Sequence, residues 1–340
     1  MQKIARVILI TTEVNQQGQE RLQQLAPDFR VVIQPAQKVE EIPTEIWQET
    51  EILLTLRTLP APEQAPKLRW VQLFSAGANQ VLTHSLFPTK TRFTTASGLH
   101  ATNIAEYVMM MQLNWFHHMV QIVEWQQKAQ WAPRAISSQI SEVQELRGKT
   151  LGIVGYGSIG REVARQAHVF GMRIIALQRN TDHRDYGFIF PGTGDPEGAL
   201  PERYYRPDQL HELLSESDVV VIGLPLTRAT THLFDRAAFE AMKPSAFLIN
   251  IARGEICEPQ ALYEALEQRR IAGAALDVTS PEPLPADDPL WKLPNVIISP
   301  HVSGGTTAYA ERVLQIFAAN LSRYLAHETL YNEVDKTHGY

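Results

Sequence analysis

Cysteine is almost absent from this chain of 340 residues: Cys257 is its one example. A single thiol excludes an intrachain disulfide framework and a multi-cysteine metal site. Excess basic charge is missing too, with 31 Lys and Arg against 37 Asp and Glu, a formal charge of -6. A general nucleic-acid binder carries a basic face, so that class is disfavoured. No apolar run approaches the roughly 20 residues that span a bilayer. The opening MQKIARVILITTE holds too short an apolar stretch for a signal peptide and no small-residue cleavage site. A cytoplasmic, two-domain protein is the expectation, since 44% hydrophobic and 20% charged residues make a globular composition of a length that fills two cores.

Alternation is what the sequence has. Short β-rich runs at 4–10, 29–33, 51–55, 70–74 and 92–95 alternate with helix-compatible stretches, the mark of βαβ units and a parallel sheet. A long helical stretch covers 103–130, and a second α/β block follows with strands expected at 150–154, 172–177, 218–223, 246–250, 273–278 and 295–299. Its near-continuous apolar runs suit parallel strands covered on both faces. A last helix is expected over 306–326, and residues 182–207, rich in Gly, Pro and charge, read as a long surface insertion between two strands.

The strongest local signal is LRGKTLGIVGYGSIGREVAR, where Gly155, Gly157 and Gly160 form G-x-G-x-x-G between an apolar strand and a helix. The first glycine makes a tight turn, the second lets backbone approach a pyrophosphate, and the third lets helix and strand pack closely. The helix start at Ser158 and Ile159 then offers N–H groups and partial positive charge to the anion. At the end of the next strand an NAD site usually has an acidic residue for the ribose hydroxyls. Here stand Gln178, Arg179 and Asn180. Without the carboxylate a 2′-phosphate is not repelled, and the Arg179 fork can pair with it. NADP is therefore expected ahead of NAD, the plain alternative being a solvated Arg179 and a pocket that takes either.

Three further strands deliver polar residues at their ends: Arg253 after AFLINI, Asp277 and Glu282 after AGAAL, and His301 after NVIIS. Ligands in open parallel sheets sit beyond the carboxyl ends of strands. An Arg, a Glu and a His converging there suit hydride transfer to a 2-oxo acid. Arg253 would hold the carboxylate and polarise the carbonyl, His301 would supply the proton, and Glu282 would orient the imidazole. Each alone has a plainer reading, as a capping arginine, a solvated loop glutamate or one ordinary histidine among 11.

With these motifs, and with SDVVVIGLPLTRATTHLF, MKPSAFLINIARGEI, AGAALDVTSPEPLP, NVIISPHVSGG, SAGANQVL and SGLHATNIAEYV, the chain resembles the D-isomer-specific 2-hydroxyacid dehydrogenase family, in particular its glyoxylate/hydroxypyruvate reductases. The resemblance is weakest in the first 50 residues, in 182–207 and in the tail. It implies two doubly wound parallel-sheet domains, a Rossmann cofactor domain (104–300) inserted into a flavodoxin-like substrate domain (1–103 and 301–340). By resemblance Arg253, Glu282 and His301 match the catalytic trio, and Asp277 matches the aspartate that holds the nicotinamide carboxamide. Leu224, Pro225, Thr230, Ala252, His301 and Gly304 fall at further cofactor-contacting positions. Gln178 departs from the usual NAD-reading aspartate.

On the substrate side, SAGAN puts Ala76, Gly77 and Ala78 in a turn whose amides can bind a carboxylate. By resemblance they grip the substrate acid group together with Arg253. Arg57, just after EILLT, is a further pocket candidate, and His100 is expected to pack. The Met and aromatic residues of 104–131 exceed what one helix hides, so a homodimer interface is expected there beside the core. No metal site is expected: His117 and His118 are adjacent and diverge on a helix. Two other readings stay open. One is a non-catalytic NAD(H)-sensing regulator of this fold. The other is a formate- or phosphite-type dehydrogenase, against which Glu282 argues, since the formate enzymes resembling this fold pair their histidine with Gln.

Overall fold

Runs of apolar residues without polar alternation build both sheets of the computed structural model, which describes residues 6–180 and 182–337. In chain order come β1 (Arg6–Ile10), α1 (Gln16–Leu25), β2 (Phe29–Ile33), α2 (Thr44–Glu49), β3 (Thr50–Thr55), β4 (Trp70–Leu73) and β5 (Arg92–Thr94). They form one sheet in the order β2-β1-β3-β4-β5, every pair parallel. That order is the flavodoxin-like one. The first two residues of the strand expected at 4–10 lie outside the described residues.

Next come α3 (Ala101–Phe116), α4 (Met119–Gln127), α5 (Arg134–Ile140), β6 (Thr150–Val154), α6 (Ser158–Val169), β7 (Arg173–Leu177) and β8 (Arg203–Tyr205). Then follow α7 (Leu210–Glu216), β9 (Val219–Ile222), α8 (Arg236–Ala241), β10 (Phe247–Asn250), α9 (Pro259–Glu267), β11 (Gly273–Leu276), β12 (Val296–Ile298) and α10 (Tyr309–Leu325). The second sheet runs β12-β11-β10-β9-β6-β7-β8, again parallel throughout. Strand order reverses at β6 and β9, the switch point of a Rossmann domain. All residues of β6, β9, β10 and β11 are buried. Because the strands are parallel, their carboxyl ends share one edge.

The chain divides into two units. The first comprises Met1–His100, Tyr186–Phe188 and Thr306–Tyr340, and the second Ala101–Asp185 and Ile189–Gly305. Within the first, α10 lays Phe317 and Tyr324 against Trp70, with ring centroids at 5.2 and 5.5 Å. Within the second, α6 buries Val163, Ala164 and Ala167 and ends at Gly171, φ +75°, in the left-handed turn that satisfies late helix carbonyls.

Two expectations are corrected. The stretch 103–130 is not one helix: His118 takes φ +53° and separates α3 from α4. Of its large residues, Met109, Met111 and Phe116 are buried, and Trp115 stacks on Phe247 at 4.6 Å. Met110, Met119, Val120, Ile122, Val123 and Trp131 are exposed. Nor is 182–207 wholly a surface insertion. Its last residues form β8, an edge strand beside β7 that buries Tyr205. Three residues beginning with Arg carry too little period to announce a strand.

Candidate active site

The glycine turn joins β6 to α6. Gly155 has φ +110°, and a Cβ there would lie 2.8 Å from the Gly223 carbonyl group. A Cβ on Gly160 would lie 2.4 Å from the Gly155 carbonyl oxygen. The chain's own packing requires both glycines. Gly157 differs: a Cβ there meets nothing within 4 Å, so the chain's own packing does not require that glycine. The first intrahelical bond of α6 is Arg161 N–H to Gly157 O, 2.9 Å, and the N–H groups before it face forward as helix-start donors. A bare cradle at a helix start fits a dinucleotide pyrophosphate. Ser158 and Ile159 open the helix there.

At the end of β7, Gln178 is held through its main-chain N–H on Tyr205 O, 2.9 Å, and its Nε2 donates to Asp182 O at 3.4 Å. Arg179 and Asn180 are exposed. After β9, Gly223 and Leu224 back the glycine turn. Thr230 shapes the following loop, its hydroxyl donating to Pro225 O (2.7 Å) and accepting from Thr227 N–H (2.8 Å).

Beyond β10, β11 and β12, neighbours in the sheet, stand the acid–base candidates. His301 Nδ1 lies 2.7 Å from Glu282 Oε1, and the two side chains are 45% and 42% exposed. A carboxylate can only accept, so Nδ1 carries the proton and Nε2 is left for chemistry. His301 takes φ +53°. Its N–H donates to Asp277 O at 2.9 Å, and the next two amides, Val302 and Ser303, donate to the Asp277 carboxylate at 2.9 and 3.0 Å. Asp277 is buried. Its Oδ1 also accepts from Ser299 Oγ at 2.6 Å, and Ser299 in turn lies 2.6 Å from Tyr107 Oη. Burial pushes the Tyr107 phenol up to about 12, so it stays a neutral donor. Asp277 therefore holds the His301 loop through three side-chain hydrogen bonds, a task the sequence alone did not suggest.

Arg253 follows β10 on the same edge, exposed, its Nη1 on Ala252 O at 2.6 Å. Asn250 shapes its approach: Nδ2 donates to Arg253 O (3.0 Å), and Oδ1 accepts from Ala252 N–H (3.1 Å). Sequence reasoning missed Asn250, Ser299 and Tyr107. The signal for Asn250 was available, as a buried amide closing the otherwise apolar strand FLIN. Gly304 lies two residues past Val302 in the same loop.

In the first unit, the turn after β4 is fixed by Ser75 Oγ donating to Gly77 O at 2.8 Å and by Tyr309 Oη donating to Phe74 O at 3.0 Å. Ala76 is half-buried, Ala78 is buried, and Gly77 is exposed with open space where a Cβ would stand. Arg57 lines a cavity of about 690 Å³ with Thr11, Thr12 and Thr58. His100 packs edge-on to Tyr309 at 5.4 Å. Among the described residues no group of three His, Cys, Asp or Glu could hold a metal ion, and no helix is long and apolar enough to cross a membrane.

Comparison with known proteins agrees with this architecture. Residues 109–303 match the family model for the D-isomer specific 2-hydroxyacid dehydrogenase NAD binding domain. A glyoxylate reductase of Korarchaeum cryptofilum is 29% identical over 342 residues, covering 97% of this chain and 96% of that protein. One from Thermococcus gammatolerans is 31% identical over 332 residues, covering 92% and 91%. A crystal structure of a D-isomer specific 2-hydroxyacid dehydrogenase family protein from Aeromonas salmonicida superposes with a TM-score of 0.73 at 30% identity, covering 97% and 99%. The chain belongs to the D-isomer-specific 2-hydroxyacid dehydrogenase family, as an NAD(P)-dependent oxidoreductase with a Rossmann domain inserted into a flavodoxin-like one.

Proposed function

We propose that this enzyme reduces small 2-oxo acids of the glyoxylate and hydroxypyruvate class to 2-hydroxy acids of D configuration, and oxidises them in reverse. The observation that carries the reading is the 2.7 Å His301–Glu282 pair, which leaves Nε2 of an accessible imidazole free at the carboxyl edge of the sheet. The reduced nicotinamide supplies the hydride. His301 gives its Nε2 proton to the carbonyl oxygen, while Glu282 fixes the tautomer and stabilises the imidazolium. Arg253 binds the substrate carboxylate as a planar fork, and the amides of Ala76, Gly77 and Ala78, with Arg57, are its substrate contacts in the first unit. Residues 1–103 with 301–340 serve as the substrate domain and 104–300 as the cofactor domain.

The glycine turn, Gln178, Arg179 and Asn180 bind the adenosine and pyrophosphate, with Leu224, Pro225, Thr230, Ala252, Asp277 and Gly304 toward the nicotinamide. NADP is the preferred cofactor, because no carboxylate at 178–180 repels a 2′-phosphate and Arg179 can pair with it. The exposed apolar residues of α4, with Met110 and Trp131, support a homodimer through 104–131, and we read the enzyme as cytoplasmic. Sedimentation of the full chain as twice the 38.3 kDa protomer checks that assembly.

The test offers NADPH and NADH separately with glyoxylate, hydroxypyruvate, pyruvate and phenylpyruvate and follows cofactor oxidation. Turnover with glyoxylate or hydroxypyruvate, faster with NADPH, is the expected result. Tight cofactor binding with no turnover on any oxo acid overturns the reading in favour of a sensor, and reduction of NAD+ or NADP+ by formate or phosphite overturns it in favour of that dehydrogenase class.

A further inference from the structure

Residues 182–207 begin two positions after Asn180, and the chemistry above gives them no task. Their anchors lie on the glycine turn itself. Tyr156 sits between Gly155 and Gly157, yet its side chain turns into the protein, and its Oη donates to Asp195 Oδ2 at 2.7 Å. Arg161, directly after Gly160, is 2% exposed. Its Nη1 donates to Asp195 O at 2.6 Å, its Nη2 donates to His183 O at 2.7 Å, and its Nε faces Asp185 Oδ2 at 3.5 Å. Glu162, fully buried, accepts from Gly194 N–H at 2.6 Å.

Buried charges are costly unless fully partnered. Here the segment partners Arg161, and it adds the Gly194 N–H to Glu162, whose charge is met on α6 itself by Arg165 at 2.6 and 2.8 Å. Packing of α6 on the sheet does not require either charge, since Val163, Ala164 and Ala167 already supply its apolar face. The near end of the segment is fixed as firmly: Asp182 O takes Gln178 Nε2, Asp182 N–H donates to Asn180 Oδ1 at 3.0 Å, and the His183 ring lies flat on Tyr204 at 3.6 Å. Hydrogen bonds of residues 182–185 and 189–195 thus reach both the end of β7 and the start of α6. In a dinucleotide fold these two points flank the adenosine ribose and the pyrophosphate.

We propose that the stretches 182–185 and 189–195 are a wall of the adenosine half of the cofactor site, with Tyr156, Arg161 and Glu162 as positioning residues that lock them to the glycine turn. The proposal rests on the cofactor-binding reading above. It makes the grip on the adenosine end depend on hydrogen bonds that never touch the cofactor.

The test uses full-length Tyr156→Phe and Asp195→Asn proteins. Each is titrated by calorimetry with 5′-AMP, NADPH, NADH and reduced nicotinamide mononucleotide, beside a thermal melt. The expected result is that dissociation constants for 5′-AMP and both dinucleotides rise together, by about tenfold, while that for the mononucleotide holds. Rescue should follow the hydrogen bond: Asp195→Glu recovers more affinity than Asp195→Asn. A fall in thermal midpoint with 5′-AMP affinity unchanged, or equal losses for both halves of the cofactor, overturns the proposal. Tyr156→Phe deletes one oxygen and keeps the ring, so it carries the test even where Asp195→Asn fails to fold. Wild-type protein that binds neither dinucleotide overturns the cofactor reading as well.

Discussion

At His301 the backbone is left-handed, a conformation that costs a non-glycine residue roughly 1–3 kcal/mol. Asp277 sustains it by gathering the amides on either side of the turn. The His301 imidazole, the proposed acid–base group, is therefore placed by a buried aspartate as much as by its own partner Glu282. The pairing of His301 with Glu282 was legible, because each follows an apolar strand that can be read directly. The role of Asp277 was not, since it depends on amides 25 and 26 positions away. The glycines offer a separation at the same scale. Gly157→Ala should weaken cofactor binding with the thermal midpoint unchanged, because its Cβ meets no protein atom. Gly160→Ala should lose both binding and about 1–3 kcal/mol of stability, its Cβ lying 2.4 Å from a carbonyl oxygen. Melts and fluorescence titrations of the two variants check the contrast.

Among elements, buried strands announce themselves and edge elements do not. VVVI and FLIN read as strands because both faces are covered. β8 escaped notice because one edge strand of three residues needs its neighbour to exist. The break between α3 and α4 escaped for a related reason. The helix-compatible pattern continues through His117 and His118, and nothing in it announces the left-handed turn at His118 that separates α3 from α4. Gly273 in β11 makes room for the Trp115 indole: an added Cβ would sit 2.4 Å from its Cη2 and 2.5 Å from Asn295 O. Gly273→Ala should cost about 1–3 kcal/mol, seen as a lower denaturation midpoint with an unchanged KM for the oxo acid.

Over the whole molecule, folding draws carboxylates from both units into ion pairs. Burial alone would raise Glu51, Glu162 and Asp218, but Arg6, Arg165 and Lys243 with neighbouring donors outweigh it and hold all three below the usual carboxylate range. Groups depressed in this way stabilise the fold above their unfolded values, about 4, and lose that contribution as pH falls through the lower folded values. Stability should be flat from pH 7 to about 5 and fall steeply below about 4, as urea midpoints across that range would show. Neutralising Glu162 as Gln should flatten the acid limb. An acid limb unchanged in that variant would remove Glu162 from the account.

The central claim is that His301, oriented by Glu282, is the proton donor in an NAD(P)H-dependent reduction. The most direct measurement compares wild type with His301→Ala for glyoxylate-dependent oxidation of NADPH and, separately, for NADPH affinity by fluorescence. The account predicts a loss of turnover of about 10²–10⁴-fold with the cofactor dissociation constant nearly unchanged. Equal turnover in the two proteins, or a loss of cofactor binding as large as the loss of rate, would contradict it.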